Sequence, residues 1–202
     1  MKKIFERNVN YNRSAFLNWR FNKGDPIGNM LALADGFLES AIYLGGLCLL
    51  DNNDKKADML IFPMLTNANH GIELYLKSLN WTLNELLQNG QRREGGHNIK
   101  QIYEMIVPKI STHKGPPELR KFQQDTENLK EYLDELFGLI DGHKMDFSRY
   151  PLSNDYVSHF YVERLDNVEV DLENFVVRFQ NIRDTLDAIC SYYFYNELLQ
   201  EV

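Results

Sequence analysis

The sequence predicts an all-α protein, an up-and-down bundle of about five helices with a small β-hairpin inserted before the last one. Three observations carry this. Apolar residues recur at spacings of three and four through several long segments, which marks amphipathic helices. Helix caps and breakers fall at the ends of those segments. The one stretch rich in β-branched and aromatic residues without that period is short and lies late in the chain. The 202 residues are 44% hydrophobic and 25% charged, ordinary for one globular domain. We divide them into a basic amino-terminal arm, residues 1–25, and a helical body, residues 26–202.

The arm carries six basic and two acidic residues and has no apolar run suited to a signal peptide. Asp25 and Pro26 then offer an N-cap and a first-turn proline for a helix reaching Leu50. Ile27, Met30, Leu31, Ala34, Leu38, Ala41, Ile42, Gly45, Cys48 and Leu49 form one stripe, and Leu33, Phe37, Leu44 and Leu47 form a second. Two stripes imply burial on two sides, as a central bundle member or a helix in contact with a second copy. The second helix runs from near Asp58 to about Gln88, with Pro63 expected in its first turn and Asn89-Gly90 as the stop. A third, shorter helix starts at an Asn98 cap and continues through Ile102, Ile106 and Ile110. Gly115, Pro116 and Pro117 break the chain before a fourth, Leu119 to Ile140, closed by Gly142. The last helix spans about Leu172 to Leu199. Between these two, Phe160 to Glu163 and Val168 to Val170, around Asp166 and Asn167, form the predicted hairpin.

Composition excludes several functions. A net charge of −7 and a pI near 5.3 rule out a surface that is wholly a nucleic-acid footprint, so a basic site must be a local patch. The longest uninterrupted apolar stretch, Ala41 to Leu50, is half of what a membrane span needs, roughly 20 residues, so a soluble protein with no membrane partner is expected. Cys48 and Cys190 both sit in apolar surroundings, which fits small buried hydrophobes in a reducing, cytoplasmic setting. No phosphate loop or nucleophile elbow is present. Glu94 and His97 have di-iron spacing only across a glycine loop, and Asp141, His143 and Asp146 lie in a polar loop. No metal and no cofactor is expected.

The second helix holds the most informative segment, Asn69 to Lys77. His70, Glu73 and Lys77 share a face roughly opposite the Ile72, Leu76 and Leu79 stripe. Leu74 and Trp81 project from that same side, so another segment should cover it. Two later fragments belong with it, Gly95-Gly96-His97-Asn98-Ile99 and Phe147-Ser148-Arg149-Tyr150-Pro151. The order His-x-x-Glu-x-x-x-Lys, then Gly-His-Asn-Ile opening a helix, then Arg-Tyr-Pro, resembles the HEPN superfamily over roughly Asp58 to Tyr195. The resemblance implies a helical bundle, often a homodimer, often paired with a nucleotidyltransferase-type protein in toxin–antitoxin or phage-defence systems, and frequently an RNase. The family's RNase motif joins an arginine to a histidine about a turn away on the late helices. Here Arg178 and Arg183 have no such histidine, and Arg92 with His97 flanks a glycine loop. The expectation is therefore a non-catalytic binding or regulatory module. The alternative is a divergent metal-independent RNase, with His97 and Arg149 as its acid/base and phosphate-contacting groups, or a nucleotidyltransferase-associated subunit.

Candidate ligand-binding residues are His70, Glu73, Lys77, His97, Arg149 and Tyr150, for RNA or a nucleotide. They admit two arrangements. In one, Arg149 pairs with Glu73 and His97 bonds near the start of the third helix, a structural network. In the other, the imidazoles and the guanidinium line an open pocket for a phosphate, which the planar fork of arginine suits equally well. The acidic carboxy-terminal segment, two basic against eight acidic residues in Leu165 to Val202, is the expected docking partner for the basic arm, within one chain or between two, and the alternative is an arm that contacts RNA.

Overall fold

A computed structural model describes residues 3–91, 95–140, 145–162 and 164–200. Within them the chain forms six helices: α1 (Pro26–Leu50), α2 (Ala57–Leu86), α3 (Ile99–Lys114), α4 (Pro116–Asp125), α5 (Glu127–Leu139) and α6 (Leu172–Ser191), the last running on into a π-helical turn, Tyr192–Leu198. The two predicted caps, Asp25 and Asn98, are in place, and Asp171 caps the last helix in the same way. Asp25, Asn98 and Asp171 each accept a backbone N–H three residues on, from Gly28, Gln101 and Asn174, satisfying donors that a helix start leaves open.

The centre of the bundle is α2, not α1. From Ala68 to Asn84 the helix is buried on nearly every side, packed by α1, α3, α6 and the π-helical turn. Its buried hydroxyls are accommodated within the helix, Ser78 donating to Leu74 O and Thr82 to Ser78 O, so they cost no unpaired groups. Helix α1 buries one stripe, Ile27, Leu31, Ala34, Leu38, Ala41, Gly45 and Cys48, against α2 and α6. The second stripe is divided: Leu33 and Leu47 are exposed, while Leu44 packs against the core and Phe37 is half-buried against His70. By length and composition α1 is long and apolar enough to cross a membrane. Of its most apolar window 28% is buried in the bundle, and Asp35 and Glu39 on it pair with Arg183 of α6. Both cysteines are buried and free.

Three expectations are corrected. The fourth helix is two, α4 and α5, broken at Thr126, whose backbone leaves the helical region (φ −94°, ψ 16°). Its hydroxyl donates back to Phe122 O at 2.7 Å and meets the buried Tyr103 hydroxyl at 2.9 Å, a local bond that competes with the helical ladder. Pro63 lies inside α2 rather than in its first turn. It is tolerated because it is exposed, and the Met59 carbonyl it leaves unbonded sits on an exposed residue. No strand occurs among the described residues, so the predicted hairpin is absent; the one β-bridge pairs Leu152 with Ser158. Phe160 and Tyr161 instead pack inward, on Phe147 and Phe62 with ring centroids at 5.8 and 5.2 Å. Tyr161 donates to Phe147 O at 2.8 Å. Aromatic burial on α2 wins over pairing of two short strands. Glu163, Gly142 and the Arg92 to Glu94 part of the glycine loop lie outside the described residues.

Gly71 marks the α1–α2 crossing. A Cβ there would meet Leu38 Cγ at 2.7 Å and the Ala34 carbonyl at 3.0 Å. Gly71→Ala is therefore expected to destabilise by about 1–3 kcal/mol, despite the helix propensity it gains. Gly46→Ala, where a Cβ meets nothing within 4 Å, is expected to stabilise by up to about 1 kcal/mol. Urea unfolding of the two variants checks the pair, and equal effects would contradict the close crossing.

Candidate functional site

Glu73 organises the candidate site. It lies on α2 with only 9% of its surface exposed, and a carboxylate so placed requires donors. Lys77, one turn on, donates to Oε1 at 2.6 Å, and His97, in the segment entering α3, brings Nδ1 to the same oxygen at 2.9 Å. His70 stands 3.8 Å from Oε2, an electrostatic neighbour rather than a bonded one. Burial alone would raise the Glu73 pKa; the neighbouring His70 and the donors Lys77 and His97 overcome it and hold the carboxyl down to about 2. An ionised carboxylate only accepts, so His97 carries its proton on Nδ1 and turns Nε2 outward.

Around this carboxylate lies a cleft of about 220 Å³ lined by Phe37, Thr66, Asn69, His70, Glu73, His97, Met145, Ser148 and Arg149. The segment opening at Met145 forms its far wall. Thr66 of α2 donates to Ser148 Oγ at 2.9 Å, which sets the position of Arg149 next along the chain. Phe37 of α1 packs its ring edge-on against His70, centroids 4.5 Å apart. Asn69 accepts from the Tyr132 hydroxyl of α5 at 2.6 Å, and its buried Nδ2 has no hydrogen-bond partner.

The three sequence fragments thus meet in space, but not as the structural network predicts. Arg149 does not pair with Glu73. It is exposed, lines the opposite side of the cleft, and forms no ion pair among the described residues. The reason is local: Lys77, on the same helix face, and His97 already occupy the carboxylate. Lys77 supports the site from one turn beyond the cleft. Tyr150 is outside it, exposed, contributing its carbonyl to Tyr161 at 3.3 Å. His159 is buried away from the cleft, 3.8 Å from Asp146. Both arginines of α6 are structural struts. Arg178 bonds Glu131 at 2.6 Å and Glu135 at 2.9 Å on α5, and Arg183 bonds Asp35 at 2.8 Å on α1. Arg92, Glu94, Asp141 and His143 lie outside the described residues, and among those described no cluster of three metal-ligating side chains occurs.

The sequence reading missed Phe37, Thr66, Asn69, Met145 and Ser148 as lining residues. Asn69 and Ser148 lie within the fragments that drew attention, whereas Thr66 and Met145 carry no local signal. Compared with protein-family models, with curated proteins and with solved structures, the chain matches none.

Because the Glu73 carboxyl sits at about 2 in the folded chain against an ordinary 4.5, its contribution is complete above about pH 5 and is lost as the pH falls toward 2. Glu73→Gln is expected to cost about 1–2 kcal/mol at neutral pH, allowing for screening on the open side, and to flatten the acid dependence in that window. Urea midpoints of both proteins across the acid range test this, and parallel pH profiles would contradict it.

Proposed function

We propose that this chain is a HEPN-like binding or regulatory module whose cleft holds a phosphate-bearing ligand, a nucleotide or a segment of RNA, without cleaving it. One observation carries the reading. Among the described residues Glu73 is the one carboxylate lining the cleft and is already paired with Lys77, while Arg149 lines the same cavity with no ion pair to a described residue. A guanidinium fork takes two phosphate oxygens at once. The exposed edge of His97 and the unpartnered amide of Asn69 add donors around it. The order of the three fragments along the chain supports the HEPN resemblance, and with it a nucleotidyltransferase-type protein as the class of partner.

A second reading rests on the Glu73–His97 pair. A histidine whose Nδ1–H is fixed by a carboxylate presents Nε2 as a proton acceptor, the arrangement of a general base. With Arg149 across the cleft to contact phosphate, this is the divergent RNase. We favour the binding role because His97 sits on the rim, its side chain 80% exposed, where water screens the carboxylate's hold on the ring.

Fluorescence titration of a labelled oligoribonucleotide and calorimetry with inorganic phosphate and AMP test the proposal. Arg149→Ala is expected to weaken binding about tenfold or more, about 1.4 kcal/mol, while shifting stability by less than about 0.5 kcal/mol because the residue is exposed. Binding unchanged by Arg149→Ala, or no binding of any of the three, would overturn the anion site. Metal-independent RNA cleavage abolished by His97→Ala would replace the binding role with the RNase.

A further inference from the structure

A groove of about 840 Å³ runs along α1 and shares no lining residue with the Glu73 cleft. One wall is α1, the second is the end of α6 with the π-helical turn, and the third is the arm, through Trp19, Arg20 and Asn22. The arm is seated against α1 by its own contacts. Asn22 N donates to Asn29 Oδ1 at 2.9 Å and Asn29 Nδ2 returns a bond to the Asn22 carbonyl at 3.0 Å, while Phe16, Leu17 and Phe21 line a shallow pocket with Ala32 and Leu33.

The groove is acidic. Asp25, Asp35, Glu39 and Asp187 line it against one lining cation, Arg20. Arg183 divides a single guanidinium among Asp35, Glu39 and Asp184, and Asp25 caps α1 through Gly28 N. Asp187, exposed one turn beyond Arg183, takes part in no ion pair among the described residues, so the groove stays negative. A second feature lies beneath it. Tyr75 of α2 is wholly buried, and its hydroxyl has no hydrogen-bond partner among the described residues. Burial raises the pKa of that hydroxyl, and the carboxylates that raise it further are Asp187 and Asp35, one from each helical wall of the groove. The phenol therefore stands under the gap between those two acids. Its oxygen is an acceptor suited to an N–H donor brought into that gap.

The shape of the groove selects among cations. At ~1.5 Å of rise per residue, Asp25 and Glu39 stand roughly 20 Å apart along α1, and no three metal-ligating side chains converge among the described residues. A compact metal ion does not match acids strung out in this way. Trp19, Tyr43 and Tyr195 line the same groove and are exposed, offering ring faces to ammonium groups and apolar surface to methylene chains. We propose that the groove binds a linear polyamine, one ammonium seated between Asp35 and Asp187 above the Tyr75 hydroxyl and another further along α1, with the intervening methylenes against the aromatic rings. A nucleic-acid strand is the wrong occupant, since its phosphates would meet the same carboxylates.

Calorimetry of the full chain with spermidine at about 0.15 M ionic strength, where diffuse surface attraction is screened, is expected to show saturable binding. Asp187→Asn should weaken it about tenfold or more by removing a charged acceptor. Asp155→Asn deletes the same charge from an exposed residue outside the groove and should change the affinity by less than about twofold. Tyr75→Phe removes a hydroxyl that has no partner, so the urea midpoint should hold or rise, while spermidine binding weakens about threefold or more. Magnesium at matched ionic strength should not displace the amine. No saturable binding, an equal loss in Asp187→Asn and Asp155→Asn, or displacement by magnesium would each overturn the proposal. So would Tyr75→Phe with unchanged affinity, or a chain that binds oligolysine peptide and not spermidine.

Discussion

A carboxylate placed on the most buried helix of a bundle is the constraint from which the rest of the site follows. Glu73 loses most of its hydration on α2 and stays ionised only because donors reach it from its own helix and from the segment before α3. Removing either partner leaves a charge in a poor medium, so the position of His97 is tied to the packing of α2. The Thr66–Ser148 bond ties the Met145 segment to the same helix. Three stretches far apart in the chain are thereby fixed around one cavity, and among the described residues Arg149 lines it outside the ion pairs of that carboxylate.

The division of labour among the arginines follows from the same electrostatics. Arg178 and Arg183 stand on a helix whose neighbours offer paired acids one turn apart, Glu131 with Glu135 and Asp35 with Glu39, and each guanidinium bridges such a pair. They hold α5 and α1 to α6 and have no role at the cleft. The outer face of α1 is governed differently. Leu44 there packs on the core and Phe37 on His70, residues 14–21 of the arm line a shallow pocket with Ala32 and Leu33, and Leu47 is exposed.

Much of the fold is legible in the sequence because it depends on local signals. The caps at Asp25 and Asn98, and the apolar seams of α1, α2 and α6, are read directly from residue type and spacing. Thr126 interrupts an unbroken seam through a bond to Tyr103, a residue from another helix, and no local pattern announces it. The absent hairpin has the same origin: Phe160 and Tyr161 have strand-forming side chains, and their partners Phe147 and Phe62 are visible only in three dimensions. At the site, the face shared by His70, Glu73 and Lys77 follows from helical geometry. The choice of His97 over Arg149 as the cross-chain partner does not, since both are chemically suited to a carboxylate and only the packing decides.

The central claim is that an ionised, buried Glu73 fixes His97 and leaves the cleft to Arg149. It is tested most directly by ¹⁵N NMR of the His97 ring at a pH where the imidazole is neutral. The account predicts that His97 holds the Nδ1–H tautomer, donating to Glu73, and that Glu73→Gln removes this bias. A predominantly Nε2–H tautomer in the unaltered protein, or a ring insensitive to Glu73→Gln, would contradict it.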